Sequence, residues 1–521
     1  MRHKIYLDYN YGYKWSGDMN CYIKGYAFLG GKLLKGKNFI NEIKKVKKYE
    51  ELKNLLKKLN GLFSGIFILK DRIFLFTDKV RTFPLFYFKK GDEIIITDNT
   101  YNLYPYTSLD EYRIKEFLAT GYATCEYTLL KDVYQVQAGE IVEIDLTNNK
   151  INKEFYFEYL TNFVVKEDYE VLKNQFLKIL ENVFLRTLKI VDGHQVVIPL
   201  SGGYDSRLIA VMLKKLGYEN VICYTYGKKN SFEVKTSKRV AEKLGFKWLF
   251  VEYNEQNIPK HWYKENLYRY YEKFAFNFVS LPHIQDFFAV KFLKDKNILK
   301  EDSIIIPGHS GDFIAGSHIR NLTYTSSMSE IKEEILNTHY CLNKTVIDSR
   351  SFSICNINKE KYFAYSIYEN WDLKNRQAKF IVNANRVYEF MGFKHLIPLW
   401  DSELIEFFRV LPLELKLNQK FYEDVLLNTV FKRYAVNYKK KGKKISNFFV
   451  IKLIKNYLKN FPLVTLLYSR LMDVNNFAWI AKALKEELER YNVRFNLINN
   501  DINSILAQYI IYNIIQNNSR I

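Results

Sequence analysis

QVVIPLSGGYDSRLIAVMLKKLGYENVICYTYG, residues Gln195–Gly227, is the stretch from which the rest of the chain can be read. An apolar run (Val196, Val197, Ile198, Leu200) breaks at Ser201-Gly202-Gly203, after which Leu208, Ile209, Val211, Met212 and Leu216 recur at helical spacing. The pattern predicts a strand, a tight turn and a helix that begins on the turn. Gly202 and Gly203 let backbone N–H groups close on an oxyanion, Ser201 and Ser206 add hydroxyl donors, and the helix N-terminus carries about half a positive charge. This is the chemistry of a phosphate cradle. Asp205 would repel phosphate oxygens unless a divalent cation lay between them, so it is read as a magnesium ligand.

Outward from this loop the same plan recurs. A second strand over Val221–Tyr226, a helix over Ser231–Leu244 closed by Gly245, and a third strand over Trp248–Val251 are predicted next. Strands alternating with helices imply a parallel sheet covered on both faces, with ligands beyond the carboxyl ends of the strands. The apolar segment Ser303–Pro307 then opens into Gly308-His309-Ser310-Gly311-Asp312-Phe313-Ile314-Ala315-Gly316, again strand, glycine turn and carboxylate. Asp205 and Asp312 are expected to converge on one cation.

Read as Ser-Gly-Gly-x-Asp-Ser, Ser201–Ser206 resembles the PP-loop of enzymes that split ATP into AMP and pyrophosphate; no Walker A pattern, GxxxxGK[ST], is found. Gly308–Gly316 resembles the second nucleotide motif of asparagine synthetases, SGEGxDExFxGY, with Asp312 on the metal-binding aspartate. Asn385–Asp401, NRVYEFMGFKHLIPLWD, resembles the family segment ending in PFLD. It is closer still to divergent synthetase-like proteins encoded with surface-polysaccharide pathways, which share Arg207 and the RVYE and PLWD wording. Tyr438-Lys439-Lys440-Lys441-Gly442 looks like the family's RxKxG segment, whose lysine stabilises charge as an acyl-adenylate is attacked. Spacing favours Lys440, with Lys439 and Lys441 left open.

The resemblance implies ATP and Mg2+ as cofactors. It implies an ATP and pyrophosphate site at Leu200, Ser201, Gly202, Gly203, Asp205, Ser206, Tyr226, Gly227 and Gly308, metal ligands Asp205 and Asp312, and catalytic roles for His309 and Lys440. The implied activity is an ATP-dependent carbon–nitrogen ligase that adenylates a small-molecule carboxylate, such as a sugar acid, and transfers ammonia or an amine to it. His309 stands where the family has glutamate and Phe313 where it has an acidic residue; Lys394 and Leu396 replace glutamate and arginine, which tells against aspartate as substrate. With an ordinary pKa of about 6.5, His309 could deprotonate an attacking amine, a job that β-lactam synthetase gives to a tyrosine at this position.

Residues 1–155 read as a β-rich domain. Short strands are expected at Lys4–Asp8, Asn20–Leu29, Leu62–Leu69, Ile73–Thr77, Leu85–Phe88 and Glu93–Thr97, interrupted by one amphipathic helix over Ile40–Leu59. Asn60-Gly61-Leu62-Phe63 and Asp78–Tyr87 (DKVRTFPLFY) look like the NGxF and DRxGxxPLYY segments of the synthetases' glutamine-amidotransferase domain. That family's glutaminase needs a cysteine at position 2, where this chain has Arg2, so a scaffold without glutaminase chemistry is expected. The fold class that follows is an α+β domain resembling a degenerate N-terminal-nucleophile amidotransferase (1–155) and a linker (156–167). After these comes an α/β PP-loop domain of the adenine nucleotide α-hydrolase type (168–521), with a parallel sheet and a helical C-terminal part.

Composition bounds the partners. Five scattered cysteines with no CxxC pair fit a reducing compartment. No apolar leader precedes the first domain and no run reaches the roughly 18 residues a membrane span needs, so a cytoplasmic location is expected. A net charge of +21, sharpest over Lys432–Lys459 with ten basic residues and no acid, reads chiefly as a solvated face. It leaves contact with an anionic membrane surface and homo-oligomerisation open, while no nucleic acid is expected because no cysteine pair or RNA module accompanies it. The rival readings are an ammonia-using asparagine synthetase, a PP-loop enzyme acting on RNA, and a non-catalytic binding protein.

Overall fold

Two strand patterns, one alternating and one continuously apolar, divide the chain. The computed structural model describes residues 1–343, 352, 354–355, 357–439, 473, 475–491 and 501–518. In the first part the strands are β1 (Arg2–Tyr6), β2 (Trp15–Asp18), β3 (Cys21–Leu29), β4 (Lys32–Lys35), β5 (Asn60–Leu69), β6 (Arg72–Thr77), β7 (Phe86–Lys90), β8 (Glu93–Thr97), β9 (Val133–Gln135), β10 (Glu140–Asp145) and β11 (Lys150–Phe155). One sheet has the order β1-β8-β7-β9, the other β11-β10-β6-β5-β3-β2 with β4 on β3.

The period of two assigns each residue its layer. Phe63 and Phe67 of β5, with Phe74 and Phe76 of β6, face a helical layer. Ile66, Ile73 and Leu75 face the second sheet, meeting Leu85, Ile94 and Ile96. The helical layer corrects an expectation: in place of one helix over Ile40–Leu59 there are two, α1 (Lys37–Ile43) and α2 (Tyr49–Lys58). Val46 is buried in the turn between them, so its apolar spacing mimics a continuous helix while the break lets both lie on one sheet face. A further helix, α3 (Glu111–Thr120), capped by Asp110 and ended by left-handed Gly121, was not foreseen.

After α4 (Tyr169–Val191) come β12 (Val196–Pro199), α5 (Asp205–Lys215), β13 (Val221–Gly227), α6 (Phe232–Leu244), β14 (Lys247–Glu252), β15 (Ile304–Ile305) and β16 (Lys394–His395). Their order, β14-β13-β12-β15-β16, is parallel throughout. The winding direction reverses between β12 and β15, which creates a crevice at their carboxyl ends. Ser231 caps α6 through the Val234 N–H and Gly245 ends it at φ 73°.

The two parts share buried contacts. Lys24 of β3 pairs with Glu389 at 2.5 Å, both almost fully buried. Tyr13 donates to the carbonyl of His395 at 2.7 Å, and the Asn60 amide to Asp401 at 3.0 Å. Residues 156–167, expected as a linker, run packed at their start: Tyr156, Tyr159, Leu160 and Thr161 are buried, and the Tyr159 N–H donates to Asn370. Cys125 and Cys355 form a disulfide across 230 positions, which corrects the picture of scattered thiols. The Cys125 N–H donates to Asn375 at 2.7 Å and its carbonyl accepts from Lys379, both on a π-helical stretch, Leu373–Ile381. Among the described residues no helix is long and apolar enough to cross a membrane.

Candidate functional site

Leu200–Tyr204 turn the chain from β12 into α5 at the point where the sheet order reverses. Leu200 is buried and locked to the neighbouring strand, its N–H donating to Tyr224 at 2.8 Å and its carbonyl accepting from Thr225 at 2.6 Å. The two serines knit the loop: Ser206 Oγ accepts the Ser201 N–H at 3.1 Å, Ser201 Oγ accepts the Gly203 N–H at 3.1 Å, and the hydroxyls lie 3.2 Å apart. Beside them, at the end of β13, Tyr226 stacks on Tyr253 with centroids 4.9 Å apart, and Gly227 adopts φ 120°.

The second glycine turn closes directly on this loop. The Asp312 N–H donates to Asp205 Oδ2 at 3.0 Å, and the hydroxyl of Tyr422 donates to Asp205 Oδ1 at 2.9 Å. Asp312 Oδ1 accepts from the Phe313 N–H at 2.9 Å and Oδ2 from Ser317 at 3.3 Å. The approach is possible only because two positions lack a side chain. A Cβ on Gly308 would lie 2.3 Å from the Ser206 nitrogen, and one on Gly311 would lie 2.7 Å from Asp205 Oδ1.

The Asp312 backbone is thus brought to the Asp205 carboxylate, while Tyr422 is a neighbour that sequence reasoning missed; an aromatic residue in a helix carries no signal of what its hydroxyl touches. Burial first, then the charges of Asp205 and Asp312, push the Tyr422 hydroxyl far above its ordinary range, so it stays a donor. Magnesium commonly takes one or two protein carboxylates and completes its shell with water and phosphate oxygens, so this pair of residues fits it. No cluster of three or more metal-ligating side chains occurs among the described residues.

His309 follows Gly308 into the crevice and departs from expectation in its chemistry. Burial pushes its pKa down to about 4, with Asp312 opposing, and its Nε2 is buried without a partner. The ring is neutral at physiological pH and a much weaker base than the ordinary value implied. Burial likewise lowers His283 to about 3 and His395 to about 4. Lys440 and Lys441 lie outside the described residues; Lys439 is exposed next to Tyr438. In the first domain, Arg2 is exposed at the start of β1. Cys21 is fully buried, and burial pushes its thiol up to about 12.

A cleft of about 450 Å3 between the two parts is lined by Tyr13, Lys35, His194, Asp302 and Lys394. His194, Asp302 and Lys394 sit at the amino ends of β12, β15 and β16, the opposite end of the sheet from the two glycine turns. Residues 187–435 match the asparagine synthase family model. The matched region begins near the end of α4 and includes both glycine turns, Tyr422 and the PLWD segment, and stops before the lysine cluster.

Among solved structures, an NH3-dependent NAD synthetase from Campylobacter jejuni is similar at 20% identity and a TM-score of 0.20, over 29% of this chain and 61% of that one. This chain therefore spans about three fifths of that synthetase's length. A glutamine phosphoribosylpyrophosphate amidotransferase from B. subtilis is similar at 12% identity and a TM-score of 0.19, over 45% of this chain and 72% of that one. Neither likeness is close enough to bear on function. No curated protein matches the chain.

Proposed function

We propose that the chain is an ATP-dependent amide ligase that adenylates a substrate carboxylate, releases pyrophosphate, and passes the acyl group to ammonia or a substrate amine. The observation that carries this reading is the meeting of the two glycine turns beside the serine–glycine loop, the Asp312 N–H donating to Asp205 at 3.0 Å. The asparagine synthase match over residues 187–435 supports the same class of chemistry.

In this reading Ser201, Gly202, Gly203 and Ser206 receive the pyrophosphate portion of ATP, their N–H and hydroxyl groups reorienting from one another toward its oxygens. Tyr226, Gly227 and Leu200 border the adenosine. Asp205 and Asp312 would hold magnesium, which when bound screens the phosphate charges. Tyr422 orients Asp205, since its protonated hydroxyl fixes one carboxylate oxygen. His309, neutral, offers an imidazole nitrogen to the incoming amine as a hydrogen-bond partner. Proton removal by it is weakly driven until a nearby negative charge raises its pKa. A lysine of the Lys439–Lys441 cluster would meet charge developing on the acyl-adenylate.

With Arg2 at the position of the family's nucleophile and Cys21 buried, nitrogen comes from free ammonia or an amine. A cytoplasmic location and a sugar-acid acceptor complete the proposal, the latter resting on the wording shared with polysaccharide-associated proteins. The test is ATP–pyrophosphate exchange with a carboxylate library that includes uronic acids, comparing wild type with Asp312→Asn. Exchange dependent on one carboxylate, falling about 100-fold or more in the variant, is expected. Undiminished exchange in Asp312→Asn removes the metal assignment.

A further inference from the structure

Amide formation needs a proton to leave the attacking nitrogen, and His309, its pKa down at about 4, is a poor acceptor for it. The chain that leaves the same glycine turn carries a second imidazole, His318. It folds back there: Ser317 donates its N–H to the Asp312 carbonyl at 3.0 Å and its hydroxyl to Asp312 Oδ2 at 3.3 Å, and the His318 ring meets Phe313 edge-on with centroids 5.6 Å apart. His318 is thus the neighbour in sequence of a residue that bonds the Asp312 carboxylate.

His318 Nδ1 lies 2.5 Å from Asp372 Oδ2. Burial opposes the Asp372 charge, but His318, His339 and Arg376 outweigh burial and hold this fully buried carboxyl well below the usual range, so it is an acceptor only. Nδ1 therefore carries the hydrogen, and Nε2, which has no partner among the described residues, is left as the acceptor. The His318 side chain keeps 20% of its surface exposed, that of Asp372 none. The carboxylate is held in turn: Gln377 Nε2 donates to Asp372 Oδ1 at 3.4 Å, and Gln377 Oε1 accepts the hydroxyl of Ser310, next to His309, at 3.1 Å. One polar chain thus runs from the glycine turn through Gln377 and Asp372 to the His318 ring. His339 also approaches Asp372, at 3.9 Å, but it is buried, bonded to Tyr368 and lowered to about 4 by burial. His194 pairs with Asp302 at 2.8 Å, but both are exposed and lie at the other end of the sheet.

We propose that His318 is the general base of amide formation, taking a proton from the attacking amine at Nε2, with Asp372 and Gln377 as positioning residues. The inference rests on the ligase reading for its reaction. The amine lone pair bonds to the acyl carbon, the bond from that carbon to the phosphate oxygen breaks, and AMP leaves with the electron pair. The N–H proton passes to Nε2, the imidazolium is matched by the Asp372 carboxylate at Nδ1, and the proton then goes to water. The other charged groups around the dyad are Arg320, Arg376, His339 and Glu369, the last paired with Lys416 at 2.7 Å.

Adenylation and proton transfer are read separately. ATP–pyrophosphate exchange without amine reports the first; single-turnover release of AMP and amide from the carboxylate that supports exchange, on adding ammonium chloride or hydroxylamine, reports the second. His318→Gln and Asp372→Asn should exchange within about threefold of wild type, while amide release falls about 100-fold in His318→Gln and about tenfold or more in Asp372→Asn. Imidazole in the buffer should restore amide release in His318→Ala and leave wild type unchanged, which a structural role would not produce. Thermal melting sets the folded fraction, and should Asp372→Asn not fold, the two His318 variants decide. Wild-type amide release in His318→Gln overturns the proposal. So does a loss of exchange in the same proportion, or a loss in His318→Ala that imidazole leaves untouched. Any of these, with wild-type exchange intact, leaves the ligase reading standing; absence of carboxylate-dependent exchange in wild type removes that reading and this role with it.

Discussion

Gly308→Ala tests the closest approach in the site. The added Cβ would sit 2.3 Å from the Ser206 nitrogen, 2.7 Å from its Cα and 2.9 Å from the Asp205 carbonyl carbon, all backbone atoms of the first turn of α5. Ordinary contact begins near 3.4 Å, so the two turns must part by about 1 Å. Neither can give easily: one is anchored by Leu200 to the sheet, the other by the Asp312 N–H on Asp205. Overpacking of this kind costs about 1–3 kcal/mol, read as a lower urea midpoint. The functional effect should be larger, because a displacement of about 1 Å between groups that share one cation and one phosphate costs about 100-fold in rate. The assay pairs urea unfolding with ATP–pyrophosphate exchange on the same preparation. A variant with wild-type midpoint and exchange would refute the claim that the two turns meet through this glycine.

Tyr422→Phe removes the donor to Asp205 and leaves a buried carboxylate oxygen with one bond fewer, so a loss of about 1–3 kcal/mol in urea unfolding is expected, with a raised magnesium requirement for exchange. Lys24→Met strands Glu389, fully buried and left with Arg386 at 3.4 Å, so about 3 kcal/mol should be lost and partly recovered in Lys24→Met/Glu389→Gln. His395 is buried, with a folded pKa of about 4 against about 6.5 when unfolded. The unfolded state binds the extra proton between those values, so stability is complete above about pH 6.5, falls as the pH drops toward 4, and levels off below it. His395→Phe should flatten that part of a urea-midpoint profile; an unchanged slope would count against the burial argument.

Both strand–glycine–carboxylate units were legible because each is local: apolar run, small-residue turn and acid lie within about a dozen residues, and each obeys backbone rules that need no partner. The same locality made the Gly245 stop readable. It failed at Val46, where a residue buried by a turn carries the spacing of a helix, and at Leu373–Ile381, where Lys374, Asn375, Gln377 and Lys379 look like a solvated face yet are buried. Their polar groups are placed by contacts such as Cys125 with Lys379, 254 positions apart.

What the amino-acid order determined alone is the kind of turn, the presence of a phosphate-type loop, and the pairing of each acid with a strand end, since these follow from φ/ψ freedom, hydrogen-bond donors and periodicity over short spans. Only the tertiary structure decided that Asp205 meets the Asp312 backbone, that Tyr422 completes the cluster, that Arg207 joins the loop to Val436 and Tyr438, and that His309 is a weak base. The three contacts span 107 to 231 positions and the last depends on burial, where the free energy of a charge is set by what the fold packs around it.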